Sequence, residues 1–193
     1  MEKWDKISGI ILAGGKSSRM GSNKALINYR GKPLISYSID LLSKFCDEIV
    51  ISTNEKLHDF KEFKQVPDEI PGVGPIGGLY SCLHHVNGNT ALVLSCDLPN
   101  VSNDLIDYLI DSYMGQEVLV PSLDGKNLEP LCAMYQVSLK DKLKEIVLGQ
   151  RIYKMHDIIN KLEHKTLLIH PQLSFYTPSL FLNINSKKDL NSF

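Results

Sequence analysis

Residues Ile7–Gly15 form the stretch ISGIILAGG, an apolar run rich in β-branched isoleucine that stops at two glycines. A short run that is apolar on both faces suits a strand in the middle of a parallel sheet, so Ile7–Ala13 is expected to be a buried strand. A Gly/Ser loop follows through Ser22. From Pro33 to Phe45 the apolar residues Leu34, Ile35, Ile39, Leu41, Leu42 and Phe45 outline a helix face, with Pro33 in its first turn. Glu48–Ser52 (EIVIS) is a second buried strand and Lys64–Pro67 a short third. Asp68–Pro75 (DEIPGVGP) is a loop, Ile76–Val86 a helix, and Thr90–Cys96 (TALVLSC) the clearest buried strand. This alternation predicts βαβ units, hence an α/β domain with a mostly parallel central sheet and helices on both faces. Ligands in such sheets bind at the carboxyl ends of the strands.

The second half is less regular. Ser102 is placed to cap a helix over Asn103–Tyr113. Glu117–Pro121 and Glu129–Tyr135 are expected strands, and Ser138–Leu148 a helix closed by Gly149. A further helix over Ile152–Leu162, strands over Lys165–His170 and Leu180–Ile184, and a short last helix around Asp189-Leu190 complete the pattern. No repeat, low-complexity tract or linker interrupts it. With 193 residues, the expectation is a single domain over residues 1–193, large enough to bury its own core.

The formal charge is −1, which argues against a nucleic-acid partner, because counterion release rewards a large basic excess. That total hides an asymmetry. Between Asp5 and Asp40 there is no acidic residue, while Lys6, Lys16, Arg19, Lys24, Arg30 and Lys32 give the segment +6 and leave −7 for the rest. The four cysteines, Cys46, Cys82, Cys96 and Cys132, include no CxxC pair, which fits reduced thiols in a cytoplasmic protein. No run of about 18 apolar residues marks a membrane span, and the first residues lack the layout of a signal peptide.

Two segments carry chemistry, and each follows an expected strand. The first is LAGGKSSRMGSNKAL, Leu12–Leu26. It fits neither the G-x-G-x-x-G dinucleotide spacing nor the G-x-x-x-x-G-K-[ST] phosphate loop. Its ingredients nevertheless suit phosphate: glycines that admit close backbone approach, backbone N–H groups that can form an anion nest, and the cations Arg19 and Lys24. The alternative is a merely flexible, soluble loop. The second segment is Ser95-Cys96-Asp97-Leu98-Pro99. A carboxylate opposite a cationic loop can hold Mg²⁺, which needs only one or two protein carboxylates when phosphate and water supply the rest. The alternative is that Asp97 caps the following turn. His84-His85 cannot share one helix face and lacks further ligands for zinc.

With LAGGKSSRMGSNKAL, GKPLI (Gly31–Ile35), PGVGPIGGL (Pro71–Leu79), SCDLP (Ser95–Pro99), EPLCAMY (Glu129–Tyr135) and NINSKKDL (Asn183–Leu190), the chain resembles the molybdenum cofactor guanylyltransferases. The resemblance runs through most of the chain. LAGG with CDLP, rather than LAAG with CDQP, is similar to the guanylyl rather than the cytidylyl members. It implies a Rossmann-like (GT-A-like) three-layer α/β/α nucleotidyltransferase domain. Residues of about 1–100 would bind nucleotide and about 101–193 would face the pterin.

The implied activity is transfer of GMP from GTP to the phosphate of molybdenum-molybdopterin, with pyrophosphate leaving. Leu12, Ala13 and Gly14 would lie along the guanine and ribose, and Gly15, Arg19 and Lys24 would face the triphosphate. Asn54, Asp68, Gly77 and Gly78 would also serve the nucleotide. Asp97 would hold Mg²⁺, with Arg19, Lys24 and Asp97 as the catalytic set, and Asn183 and Asn185 would lie on the pterin side. Transient contact with cofactor-delivering proteins or molybdoenzyme chaperones is implied as well. One departure stands out: relatives carry N-x-N-T-P near the end, whereas here Ser186-Lys187 follows Asn185. Two alternatives stay open, a related nucleotidyltransferase using CTP or a sugar phosphate, and a non-catalytic module that binds nucleotide or cofactor.

Overall fold

The computed structural model describes residues 6–14, 23–185 and 189. A seven-stranded sheet forms its centre. In chain order the strands are β1 (Ile7–Leu12), the short β2 (Asn28–Tyr29) and β3 (Lys32–Pro33), β4 (Glu48–Ser52), β5 (Lys64–Val66), β6 (Thr90–Ser95), β7 (Val118–Ser122), β8 (Cys132–Gln136) and β9 (His164–Leu168). The helices are α1 (Leu34–Leu42), α2 (Pro75–Leu83), α3 (Asn103–Ser112), α4 (Lys140–Lys144) and α5 (Met155–Ile159). The large sheet runs β5-β4-β1-β6-β8-β7-β9, with β2 and β3 forming a separate hairpin.

Every pairing in the large sheet is parallel except those of β8, which lies antiparallel to both β6 and β7. The β7–β8 connection contains no helix. Parallel neighbours need a crossover of a dozen or more residues, usually helical, whereas antiparallel ones accept a shorter loop. The mostly parallel α/β fold expected from the sequence is therefore present.

The order of connection places the site. From β1 the chain moves outward to β4 and β5, then returns through α2 to β6 on the other side of β1. The direction of travel reverses between β1 and β6, and a crevice opens at the carboxyl ends of strands at such a switch point. Helices α1 and α3 cover one face: Ile35, Ile39, Leu42, Leu105, Ile106 and Leu109 pack on Ile11, Leu92, Leu94 and Met134. Helix α2 and the α4–α5 segment cover the other, through Ile76, Leu79, Leu143 and Ile158 against Ile10, Val93 and Tyr135. The period-2 pleat sends Ile10 and Ile11 to opposite faces, and both are fully buried. Ser102 caps α3 as expected, its hydroxyl accepting from Leu105 N–H at 3.3 Å.

Two local expectations are corrected, and one element is new. Residues Leu180–Ile184 do not form a strand; Leu180 N–H and Leu182 N–H close turns onto Thr177 and Ser179, and Ile184 N–H bonds the Asp97 carbonyl at 3.0 Å. Apolar Leu180 and Phe181 are buried in the core under α1 and α3, and Ile184 against Tyr29 and Leu34, all as loop side chains. The helix expected over Ser138–Leu148 is α only through Lys144 and continues as a wider π turn over Glu145–Gly149. The β2–β3 hairpin was not foreseen; its turn has left-handed Arg30 (φ 47°) and Gly31 (φ 94°), the two-residue geometry that matches strand twist. Among the described residues no helix is long and apolar enough to cross a membrane.

Candidate active site

Three strands end side by side at the switch point. Their ladder continues one residue beyond the sheet: Ala13 N–H bonds the Ser52 carbonyl at 3.0 Å, and Cys96 N–H bonds the Leu12 carbonyl at 3.1 Å. Leu12 and Ala13 are buried there and Gly14 is exposed. Gly14 is thus where the β1 backbone first meets solvent. Gly15 and Arg19 lie outside the described residues.

Lys24 returns to this point from the following loop. It opens a short 3-10 turn, Lys24–Leu26, capped by the Asn23 side chain, which accepts from Ala25 N–H at 3.0 Å. Ala25 is fully buried and anchors the turn. Lys24 Nζ then donates to Asp97 Oδ2 at 2.6 Å and to Asn185 Oδ1 at 2.8 Å. The two ionic side chains keep 22% and 15% of their exposure, enough for a solute to reach them.

Asp97 follows β6 directly and is held on several sides. Asn183, with its amide nitrogen turned to the carboxylate, donates to Oδ1 at 3.1 Å and Oδ2 at 3.3 Å. Ile184 N–H fixes the Asp97 carbonyl. The segment carrying both asparagines is itself pinned: the Asn100 amide donates to the Ser179 carbonyl at 3.0 Å, Asn185 N–H donates to Asp189 at 2.8 Å, and Ile184 packs with Tyr29 and Leu34. Asn183 and Asn185, expected on the pterin side, are thus brought onto Asp97 and Lys24.

A second cluster lies at the ends of β4 and β5. Asn54 and Asp68 form a reciprocal pair, Asn54 Nδ2 donating to Asp68 Oδ2 at 3.0 Å and Asp68 N–H donating to Asn54 Oδ1 at 2.8 Å. Ser52 Oγ adds a long contact to Asp68 Oδ1 at 3.4 Å. Gly77 and Gly78 lie in the first turns of α2, which Gly74 opens with φ 80° and Pro75 begins. A Cβ on Gly78 would stand 2.2 Å from Ser52 Oγ, and one on Gly77 would stand 2.7 Å from the Ile70 carbonyl oxygen. These glycines let α2 seat against the strand end and the Asp68 loop.

Glu129, given no role by its sequence context, lies beside the same crevice. Its N–H bonds the Pro121 carbonyl, and nearby Leu131 accepts from Ser95 N–H at 2.8 Å, two residues before Asp97. Burial pushes its carboxyl up to about 7, with the charges of Asp124 and Asp97 adding to the effect. Only the folded packing could reveal this, since Glu129 and Asp97 are far apart in the chain. Cys96 is inert by comparison: burial holds its thiol at about 12.

Among the described residues no group of three or more His, Cys, Asp or Glu side chains is arranged to hold a metal. The donor set offered here is the hard-oxygen carboxylate of Asp97, to which Asn183 turns its amide nitrogen. That set fits a cation such as Mg²⁺, which completes its octahedron with water and phosphate.

Comparison with known proteins agrees with this fold. Residues 9–166 match the family described as the MobA-like NTP transferase domain. The chain is 34% identical to a probable molybdenum cofactor guanylyltransferase of Pyrococcus horikoshii, covering 96% of this chain and 98% of that one. It is 30% identical to a protein of the same description from Flavobacterium johnsoniae, over 97% and 96% of the two chains. The crystal structure of molybdopterin-guanine dinucleotide biosynthesis protein A from Archaeoglobus fulgidus superposes with a TM-score of 0.77 at 26% identity, covering 95% of each chain. The chain belongs to the MobA-like NTP transferase family and is a nucleotidyltransferase of molybdenum cofactor biosynthesis.

Proposed function

We propose that the enzyme transfers GMP from GTP to the terminal phosphate of molybdenum-molybdopterin, forming a guanine dinucleotide and releasing pyrophosphate. The observation that carries this reading is the meeting of Lys24 with Asp97 at the β1/β6 switch point, in a chain whose full-length relatives are named for guanylyl transfer. Residues of about 1–100 bind the nucleotide and about 101–193, apart from the turn at Asn183–Asn185, face the pterin.

In this reading Leu12, Ala13 and Gly14 line the guanine and ribose, and Gly15, Arg19 and Lys24 serve the triphosphate. The Asn54–Asp68 pair presents a carboxylate suited to the N1–H and exocyclic amine of guanine. Gly77 and Gly78 keep α2 close enough for its N-terminus to border the nucleotide. Asp97 holds Mg²⁺, which supplies charge neutralisation at phosphate oxygens. The new bond joins an acceptor phosphate oxygen to the α-phosphorus, and the bond to the bridging oxygen of pyrophosphate breaks. The attacking phosphate is already anionic, so no protein base is required. Lys24 and Arg19 neutralise charge that grows on the departing pyrophosphate. Most of the rate then comes from positioning.

A melting-point screen with GTP, CTP, UTP and ATP, each with Mg²⁺, tests the nucleotide assignment, since a ligand bound only by the native state raises the melting point. GTP is expected to give the largest rise. A larger rise with CTP would point to a cytidylyl enzyme of the same fold.

A further inference from the structure

Lys24 and Asp97 are each held by one asparagine of the same short C-terminal segment. Asn185 Oδ1 accepts from Lys24 Nζ at 2.8 Å, and the Asn183 amide donates to both oxygens of Asp97 at 3.1 and 3.3 Å. The segment between them is tied to Asp97 again by the Ile184 N–H bond to its carbonyl. Its anchorage is independent of any ligand, because Leu180, Phe181 and Ile184 are buried and Asn100 and Asp189 take up its backbone groups.

We propose that Asn183 and Asn185 are positioning residues of the nucleotide–metal centre, Asn183 orienting the Asp97 carboxylate and Asn185 holding the Lys24 ammonium at the phosphates. The chemistry favours this use. An amide that donates to a metal-binding carboxylate fixes which lone pairs face the cation, and partners of this kind matter nearly as much as the ligands themselves. Lysine is a flexible point charge with three donors. Asn185 takes one donor and leaves the others for Asp97 or phosphate, so Lys24 can pass from the carboxylate to a bound triphosphate without leaving the site. The Asn183 and Asn185 amides therefore already have polar partners on the nucleotide side of the crevice.

The inference rests on the guanylyltransferase reading, and the test separates the two. Binding of Mn²⁺ together with GTP is followed by the electron paramagnetic resonance of free Mn²⁺, with no pterin present, for the wild type, Asn183→Ala and Asn185→Ala. The wild type is expected to bind the pair, and each variant to bind it about tenfold more weakly. In turnover assays the KM for molybdopterin is expected to stay unchanged while the Mg²⁺ requirement of Asn183→Ala rises. Asn185→Asp keeps the side-chain volume and serves if an alanine variant melts early. Its added charge tightens the hold on Lys24 and is expected to weaken GTP binding. Variants that bind Mn²⁺ and GTP like the wild type, with a raised KM for molybdopterin, would overturn the inference. A wild type that binds neither would instead overturn the reading beneath it.

Discussion

Lys24 Nζ stands 2.6 Å from Asp97 Oδ2 although the two lie 73 positions apart in the chain. A part-exposed ion pair contributes only about 0–1 kcal/mol to stability. The fold nonetheless spends a capped turn, a fully buried Ala25 and two asparagine contacts on setting it. Under the proposed function its value lies in chemistry: a cation and an anion at one strand end, each placed to exchange its partner for a metal–triphosphate.

Asp97→Ala separates the two roles. Turnover is expected to fall by about 10²–10³-fold, the scale seen when one pre-set electrostatic contact is lost. Loss of about 1 kcal/mol corresponds to a melting shift of only about 2–4 °C for a chain of this size. Steady-state kinetics beside a melting curve checks both numbers. A fully active variant would remove Asp97 from the metal assignment.

Gly78 and Gly14 differ in what a methyl group would meet. At Gly78 it would stand 2.2 Å from Ser52 Oγ and 3.1 Å from Ser52 Cβ, whereas at Gly14 the nearest atom is 3.8 Å away. Gly78→Ala is expected to destabilise by about 1–3 kcal/mol through overpacking. Gly14→Ala is expected to melt like the wild type but to bind GTP more weakly. Calorimetric melting and nucleotide titration of the two variants distinguish a packing glycine from an approach glycine.

Glu129 gives the fold a pH dependence of its own. Its carboxyl titrates near 7 in the fold, raised by burial and then by Asp124 and Asp97, against an ordinary value of 4.5. Below about 4.5 the group is protonated whether folded or unfolded and contributes no penalty. Between about 4.5 and 7 the unfolded chain ionises first, so stability is lost as pH rises, and above 7 the loss is complete. Glu129→Gln should therefore raise the melting point at pH 8 but not at pH 4. With discount for solvent screening, the gain is on the order of 1–2 kcal/mol. Equal effects at both pH values would show that the Glu129 charge is not the cause.

The thiols are expected to be silent in the native protein. Burial pushes Cys46, Cys82 and Cys96 up to about 12 and raises Cys132 as well, so little thiolate forms at pH 8. Alkylation by iodoacetamide should follow unfolding, and treated native enzyme should keep its activity even though Cys96 adjoins Asp97. Rapid native labelling at Cys96 would contradict this burial.

The legible parts of the fold are those where local pattern and tertiary demand coincide. Residues Val50–Ser52 of β4 and Thr90–Ser95 are buried on both faces, and continuous apolar runs announce such strands directly. Ser102 is legible as a cap because its bond to Leu105 N–H spans only three residues. The segment Leu180–Ile184 misleads for the opposite reason. Its apolar residues are spaced for a strand, yet they are buried as a loop wedge whose backbone bonds go to turns and to Asp97. The site divides in the same way. Lys24 and Asp97 stand in recognisable motifs, whereas Glu129 and the contacts of Asn183 and Asn185 arise only when distant segments meet at the switch point.

Release of pyrophosphate from GTP in the presence of Mg²⁺ and molybdopterin tests the central claim most directly. The account predicts stoichiometric pyrophosphate and a guanine dinucleotide, both dependent on molybdopterin and both nearly abolished by Asp97→Ala. Binding of GTP without pyrophosphate release, or equal release with CTP in its place, would contradict it.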